Sequence, residues 1–197
     1  MGRAGGRVVW ALSPAELYQA DLLILPGSKH TASDLAWLQA QGLSEAIRAH
    51  ARQGKPLLGI CGGMQMLGQT LQDPLGVEHG GICSRLGLLP IGTVFQPEKI
   101  QRRTELRMDG LAGYWKALEG VIIRGYEIHH GQSGLLYQQR GNVLGIYLHG
   151  LFENAEVLQR LFGDRGRNLG SVLEGLADLV AEHFMPGYLE RLLEPAS

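Results

Sequence analysis

Apolar positions in this chain come in short runs, each followed by a stretch with helical spacing, and that rhythm predicts strands alternating with helices. Arg7 to Leu12 (RVVWAL) reads as a first short strand, and Ser13 and Pro14 as a cap with proline in the first turn. Ala15 to Gln19 then makes a helix of a turn or two. Asp21 to Leu25 (DLLIL) has the composition of a buried strand and runs into the loop PGSKHT. Ser33 and Asp34 cap a helix through Trp37 and Leu38, which breaks near Gly42 and resumes from Ser44 to Gln53 with Gly54 as its stop. Leu57, Leu58 and Ile60 form the next buried strand, and Met64, Met66 and Leu67 fit a helix that begins directly after Cys61. Strands joined by helical crossovers predict an α/β fold with a mainly parallel sheet and helices on both faces.

From Asp73 to Leu89 the alternation lapses and a loop is expected, with Cys83 in a structural role. Ile91 to Phe95 and Ile100 to Met108 read as two strands, the second charged and so exposed on one side. Val121 to His129 is a further strand, with Gly131 turning the chain after it. Leu135 to Gln138 and Val143 to Leu148 form a hairpin about Gly141 and Asn142, which leaves His149 at a strand end and Asn154 near the next helix. The longer of two closing helices is expected from about Asn168 to Phe184, with Leu173, Leu176, Val180 and Phe184 on one face.

Composition narrows the function classes. A length of 197 residues, 45% hydrophobic and 19% charged, fits one well-buried domain. A net charge of −1 without blocks of like charge gives no reason to expect nucleic acid or a membrane surface as partner. No apolar run is long enough to span a bilayer. Two cysteines cannot build a disulfide framework, so a reducing, cytoplasmic setting is expected in which a thiol stays available. The seven histidines lack metal-ligand spacing, and no metal site is expected. The 29 glycines are the unusual feature; they predict tight loops at strand ends, where sites on open sheets lie.

Cys61 is the candidate nucleophile. It falls where a buried strand turns sharply into a helix between small neighbours, the geometry of a nucleophile elbow, and a helix N-terminus there favours the thiolate. The competing reading is a buried cysteine acting as a small hydrophobe. Gly27, directly after a strand, either presents its N–H to a developing oxyanion or is an ordinary turn glycine. A cysteine nucleophile needs a base and later an acid, and His149 is the histidine best placed for both, unless it only satisfies a polar strand end.

Four separated blocks, LPGSKHTASDLAWL (25–38), GICGGMQMLG (59–68), GYEIHHG (125–131) and YLHGLFEN (147–154), resemble the glutamine amidotransferase domain of cobyric acid synthase, a cobalamin-pathway enzyme. The resemblance implies a flavodoxin-like class I amidotransferase fold whose cysteine–histidine pair maps onto Cys61 and His149. It implies that Cys61 attacks the carboxamide of glutamine, that the N–H groups of Gly62 and Gly27 hold the oxyanion, and that His149 protonates ammonia and then activates water. Gln65 falls where the family places a residue near the glutamine pocket, or else is a packing residue. Tyr126, Glu127 and His129 fall in a block like the family's active-site rim, or else satisfy a polar strand end. The full enzymes amidate adenosylcobyrinic acid a,c-diamide to cobyric acid. ATP and magnesium are implied only for an N-terminal synthetase domain, which binds the corrinoid and is expected to be absent from this chain.

Two departures qualify the resemblance. Most class I amidotransferases carry a glutamate two residues after the histidine; that position is Leu151 here, as in the cobyric acid synthase group, so a dyad is expected. The chain also lacks a GxxxxGK[ST] phosphate loop, and the resemblance implies a start after the family's own first strand, so the sheet is expected to be re-paired within the chain or completed by another polypeptide. The alternatives are the sister domain of cobyrinic acid a,c-diamide synthase or of a cell-wall amidating ligase, a non-catalytic binding module, and a cysteine hydrolase or chaperone with a similar elbow.

Overall fold

The computed structural model describes residues 7–78, 81–82, 85–163 and 173–179. From residue 13 the first half follows the expected order: α1 (Pro14–Tyr18), β1 (Leu23–Leu25), α2 (Thr31–Ala40), α3 (Leu43–Arg52), β2 (Leu57–Ile60) and α4 (Gly62–Leu67). Then come β3 (Thr70–Asp73), β4 (Gly81–Ile82), β5 (Gly92–Arg107), β6 (Ile122–Gln132), β7 (Tyr137–Arg140), β8 (Val143–Ile146) and α5 (Ala155–Phe162). Short 3-10 turns lie at Gly113–Leu118 and Leu151–Glu153.

One sheet has the order β1-β2-β8-β7, in which β1, β2 and β8 are parallel and β7 is added antiparallel by the expected hairpin. Strand alternation splits its side chains between two cores. Leu57 and Val143, paired in register, face Leu35, Ile47 and Leu67 from the helices α2 to α4. Leu58 and Leu144, the next pair, face Trp115, Leu118, Ile123 and Val157 on the other side. Both faces are thus covered, and each fully buried aliphatic side chain contributes roughly 2 kcal/mol. The Trp115 indole adds a polar tie, donating to the carbonyl of Asn142 at 2.8 Å.

A second sheet, ordered β4-β3-β5-β6, was not expected. β3 lies just before the loop read from Asp73 to Leu89, β4 forms within it, and the two strands read at 91–108 are one strand, β5, with an irregularity between Phe95 and Ile100 that accommodates Pro97. β6 also runs past Gly131, which does not turn the chain. A Cβ there would lie 2.6 Å from Gln65 Nε2 and 2.7 Å from Thr93 Cγ2, so this glycine serves close packing. The two sheets meet where Tyr126 of β6 bridges to His149, just beyond β8.

The N-terminal expectation fails. Residues 7–12 form no strand and leave Val8, Val9, Trp10 and Leu12 exposed, Trp10 at 81%. β1 pairs directly with β2 and is the edge of its sheet among the described residues, with Ile24 exposed on its uncovered side. The closing helix is described only over 173–179, and the rest of that expectation, like Cys83, lies outside the described residues.

Candidate active site

The parallel strands β1, β2 and β8 end on the same side, and the loops after them carry Gly27, Cys61 and His149. Cys61 has φ 50° and ψ −108° and is the only non-glycine residue with positive φ among those described. Such a conformation costs on the order of 1–3 kcal/mol and persists only where the surroundings enforce it. The surroundings here are backbone. The Cys61 N–H donates to the carbonyl of Ile146 at 2.8 Å, which ties the bend to β8. A Cβ on Gly63 would collide with the Leu25 carbonyl oxygen, and one on Gly62 would lie 2.8 Å from the amide nitrogen of Ser28. Gly59 meets Gly63 in the same way, at 2.8 Å. The GICGG sequence is what lets α4 start tight against the end of β1.

The sulfur itself is 3% exposed as a residue and donates to the carbonyl of Ile128 on β6 at 3.7 Å. Burial pushes its pKa up to about 11; the Gly62 N–H pulls the other way, and the carboxylates of Glu78 and Glu127 add to the rise. The thiolate expected from the helix N-terminus is therefore not the resting state. α4 has six residues, and its end effect does not offset desolvation.

His149 is half-buried. Its backbone exchanges hydrogen bonds with Tyr126, N–H to Tyr126 O at 2.9 Å and Tyr126 N–H to His149 O at 3.2 Å. The Tyr126 ring stacks on the imidazole with centroids 5.2 Å apart and planes 11° from parallel. On the Gly27 side, a Cβ at that glycine would lie 2.8 Å from His149 Cε1, so the absence of a side chain at 27 makes room for the imidazole. Burial, and then the neighbouring His129, hold the His149 pKa below the usual imidazole range. Gly125 lets the two backbones meet, since any Cβ there would strike the His149 carbonyl oxygen. Asn154 completes the corner. Its side chain accepts from Arg124 N–H at 3.0 Å and donates to the carbonyls of Arg124 at 3.0 Å and Gly150 at 2.7 Å.

Of the residues singled out from sequence, Gly27, Cys61, Gly62, Tyr126 and His149 converge at this end of the sheet. Gln65, Glu127 and His129 are buried behind them and already engaged with the protein. Thr31 Oγ1 donates to Gln65 Oε1 at 3.0 Å. Glu127 Oε1 accepts from Arg102 Nε at 2.8 Å and Thr104 Oγ1 at 2.6 Å, while Oε2 lies 3.3 Å from His129 Nε2. Burial acts to raise the Glu127 carboxyl, but the bonds from Arg102, Thr104 and His129 outweigh it and hold it below the ordinary carboxylate range. His129 also places Nδ1 2.7 Å from Gly131 O and its ring against Tyr147, with centroids 4.3 Å apart. Sequence reading missed Arg102, Thr104 and Tyr147. Tyr147 stands two residues before His149, and a period of two along that segment was the available signal.

Comparison with known proteins follows the same lines. Residues 3–157 match the family described as the CobB/CobQ-like glutamine amidotransferase domain. The chain is 50% identical over 209 residues to the cobyric acid synthase of Polaromonas sp. (strain JS666), covering 96% of this chain and 41% of that protein. It is 49% identical over 206 residues to the cobyric acid synthase of Variovorax paradoxus (strain S110), covering 96% and 43% respectively. The chain thus spans about two fifths of the length of these curated relatives. A solved glutamine amidotransferase shares the fold, with a TM-score of 0.50 and 16% identity over 87% of this chain and 85% of that one. No helix among the described residues is long and apolar enough to cross a membrane.

Proposed function

Since the chain belongs to the CobB/CobQ-like glutamine amidotransferase domain family, we propose that it is the glutaminase unit of a cobyric acid synthase, releasing ammonia from glutamine. The observation that carries this reading is the strained bend at Cys61, which shares with Gly27 and His149 the end of the sheet where the parallel strands β1, β2 and β8 finish. The identity of about one half to cobyric acid synthases favours that enzyme over the sister amidating ligases. In this proposal the chain is a single amidotransferase domain working in the cytoplasm. The corrinoid a,c-diamide, ATP and magnesium are handled by a synthetase domain.

The chemistry follows from the resting charges. Cys61 starts as a thiol and His149 as a neutral imidazole, so the proton passes from sulfur to imidazole as the sulfur attacks the carboxamide carbon. The oxyanion that forms is stabilised by the backbone N–H groups of Gly62 and Gly27. The imidazolium returns its proton to the leaving nitrogen, and the C–N bond breaks to give ammonia and a glutamyl thioester. Neutral His149 next takes a proton from water, hydroxide adds to the thioester, and glutamate leaves as the sulfur recovers its proton.

A glutamine-like diazo or chloroketone reagent tests this directly. Mass spectrometry should find one adduct, on Cys61, and Cys61→Ala should abolish it together with glutamate release, a loss of roughly a thousandfold or more. No adduct, or one on another side chain, overturns the glutaminase reading. Pairing the labelled-competent chain with a cobyric acid synthetase domain, ATP, magnesium and the a,c-diamide then asks whether the ammonia reaches that acceptor. Amidation of a different acceptor only would favour a sister ligase.

A further inference from the structure

We propose that Tyr126 is the positioning residue for His149, its ring setting the plane in which the imidazole presents its nitrogens. The main chain around His149 is pinned by the Tyr126 backbone bridge and by the Asn154 side chain, but these bonds leave rotation of the ring itself free. Among the described residues no hydrogen bond or ion pair reaches either nitrogen of that ring. The position two residues on, where a carboxylate could have oriented it, holds Leu151, which is packed into the core beside Leu148 and Val157. The Tyr126 ring lies 11° from parallel to the imidazole with centroids 5.2 Å apart, and the Cε1 edge faces Gly27, where an added Cβ would come within 2.8 Å. A ring confined between a flat face and a steric stop has its χ2 restricted without any bond to its nitrogens. Both nitrogens are thereby left for the sulfur, the leaving ammonia and water.

Tyr126 is suited to that task for a second reason. It is 40% exposed, so its ring lies at the mouth of the site and its removal leaves no core cavity. Its phenol has no hydrogen-bond partner among the described residues, so the ring face is the part of the side chain that does the holding. Phenylalanine should therefore serve as well as tyrosine, and an aliphatic side chain should not. The catalytic meaning of the inference rests on the glutaminase reading; its structural half does not.

The test uses the full 197-residue chain with Tyr126→Phe and Tyr126→Leu. In glutamate release, Tyr126→Leu should lower kcat roughly ten- to a hundredfold with KM little changed, and Tyr126→Phe should restore it. In parallel, the Cε1–H resonance of His149 in the resting protein should carry a ring-current shift that Tyr126→Phe keeps and Tyr126→Leu loses. A rise in KM at constant kcat would make Tyr126 a substrate contact and overturn the proposal. So would a Tyr126→Leu protein in which neither kcat nor the His149 resonance moves. If the wild-type chain neither releases glutamate nor takes up the glutamine-like reagent, the glutaminase reading fails, and the resonance still decides whether Tyr126 orients His149.

Discussion

Cys61 and His149 follow neighbouring parallel strands of one sheet, yet they are held by different kinds of matter. The bend at Cys61 is enclosed by backbone, with Gly59, Gly62 and Gly63 each pressed against main-chain atoms within a few residues or at the end of β1. The imidazole of His149 is held by a side chain from the second sheet, on a strand paired with its own backbone at one bridge. A nucleophile fixed by backbone tolerates almost no change. A base fixed by a neighbouring side chain is assembled from distant parts of the sequence and can be detuned without unfolding the protein.

The sharpest way to break this contrast is Gly63→Ala. In an exposed helix the change would stabilise by about 1 kcal/mol. Here the added methyl meets the Leu25 carbonyl, and we expect a loss of about 3 kcal/mol or more in urea unfolding, with most activity lost alongside it. A stability gain would mean that the backbone does not enclose the elbow as described. Gly125→Ala is the matching change on the histidine side. Its methyl meets the His149 carbonyl, so the bridge should part, at a cost nearer 2 kcal/mol because β5 still holds β6 through a long antiparallel ladder. The chain should fold, and kcat for glutamate release should fall much further than the folded fraction does. Parallel losses of fold and activity in both variants would erase the distinction.

The same contrast explains what could be read in advance. The elbow was legible because its determinants are adjacent: an apolar strand, a cysteine and three glycines within GICGG. The strands β1, β2 and β8 were legible for the same reason, as short apolar runs with turn residues at their ends. His149 was singled out by its place at a strand end, a weak signal on its own that the resemblance between blocks strengthened. β5 was read as two strands, 91–95 and 100–108, whereas pairing with β6 carries one strand through Pro97 with an irregularity between Phe95 and Ile100. Residues 7–12 misled because β-propensity does not say whether a strand finds a partner. The state of the sulfur was misjudged for a related reason: a helix start can be seen in sequence, but the β6 segment that buries Cys61 lies more than sixty residues away. Burial is a tertiary property, and it outweighs a helix of six residues.

That last point yields the smallest expected effect and the finest test of the comparison. With a thiol pKa of about 11, roughly one sulfur in ten thousand is ionised at neutral pH in the resting protein. Alkylation by iodoacetamide without glutamine should therefore rise about tenfold for each pH unit between pH 7 and pH 10. A preformed thiolate–imidazolium pair would instead give a plateau beginning near or below the imidazole range. The sign for His149 is the opposite one. Its pKa is depressed, so it is already neutral at pH 7 and contributes no positive charge that could draw the sulfur's proton away at rest. His149→Gln should thus leave the iodoacetamide profile almost unmoved while sharply slowing labelling by the glutamine-like reagent, which needs the base once the substrate side chain is in place. If the substitution shifts the iodoacetamide profile by a pH unit or more, the two residues are electrically coupled before substrate arrives. The separation between a backbone-held nucleophile and a side-chain-held base would then hold for structure but not for charge.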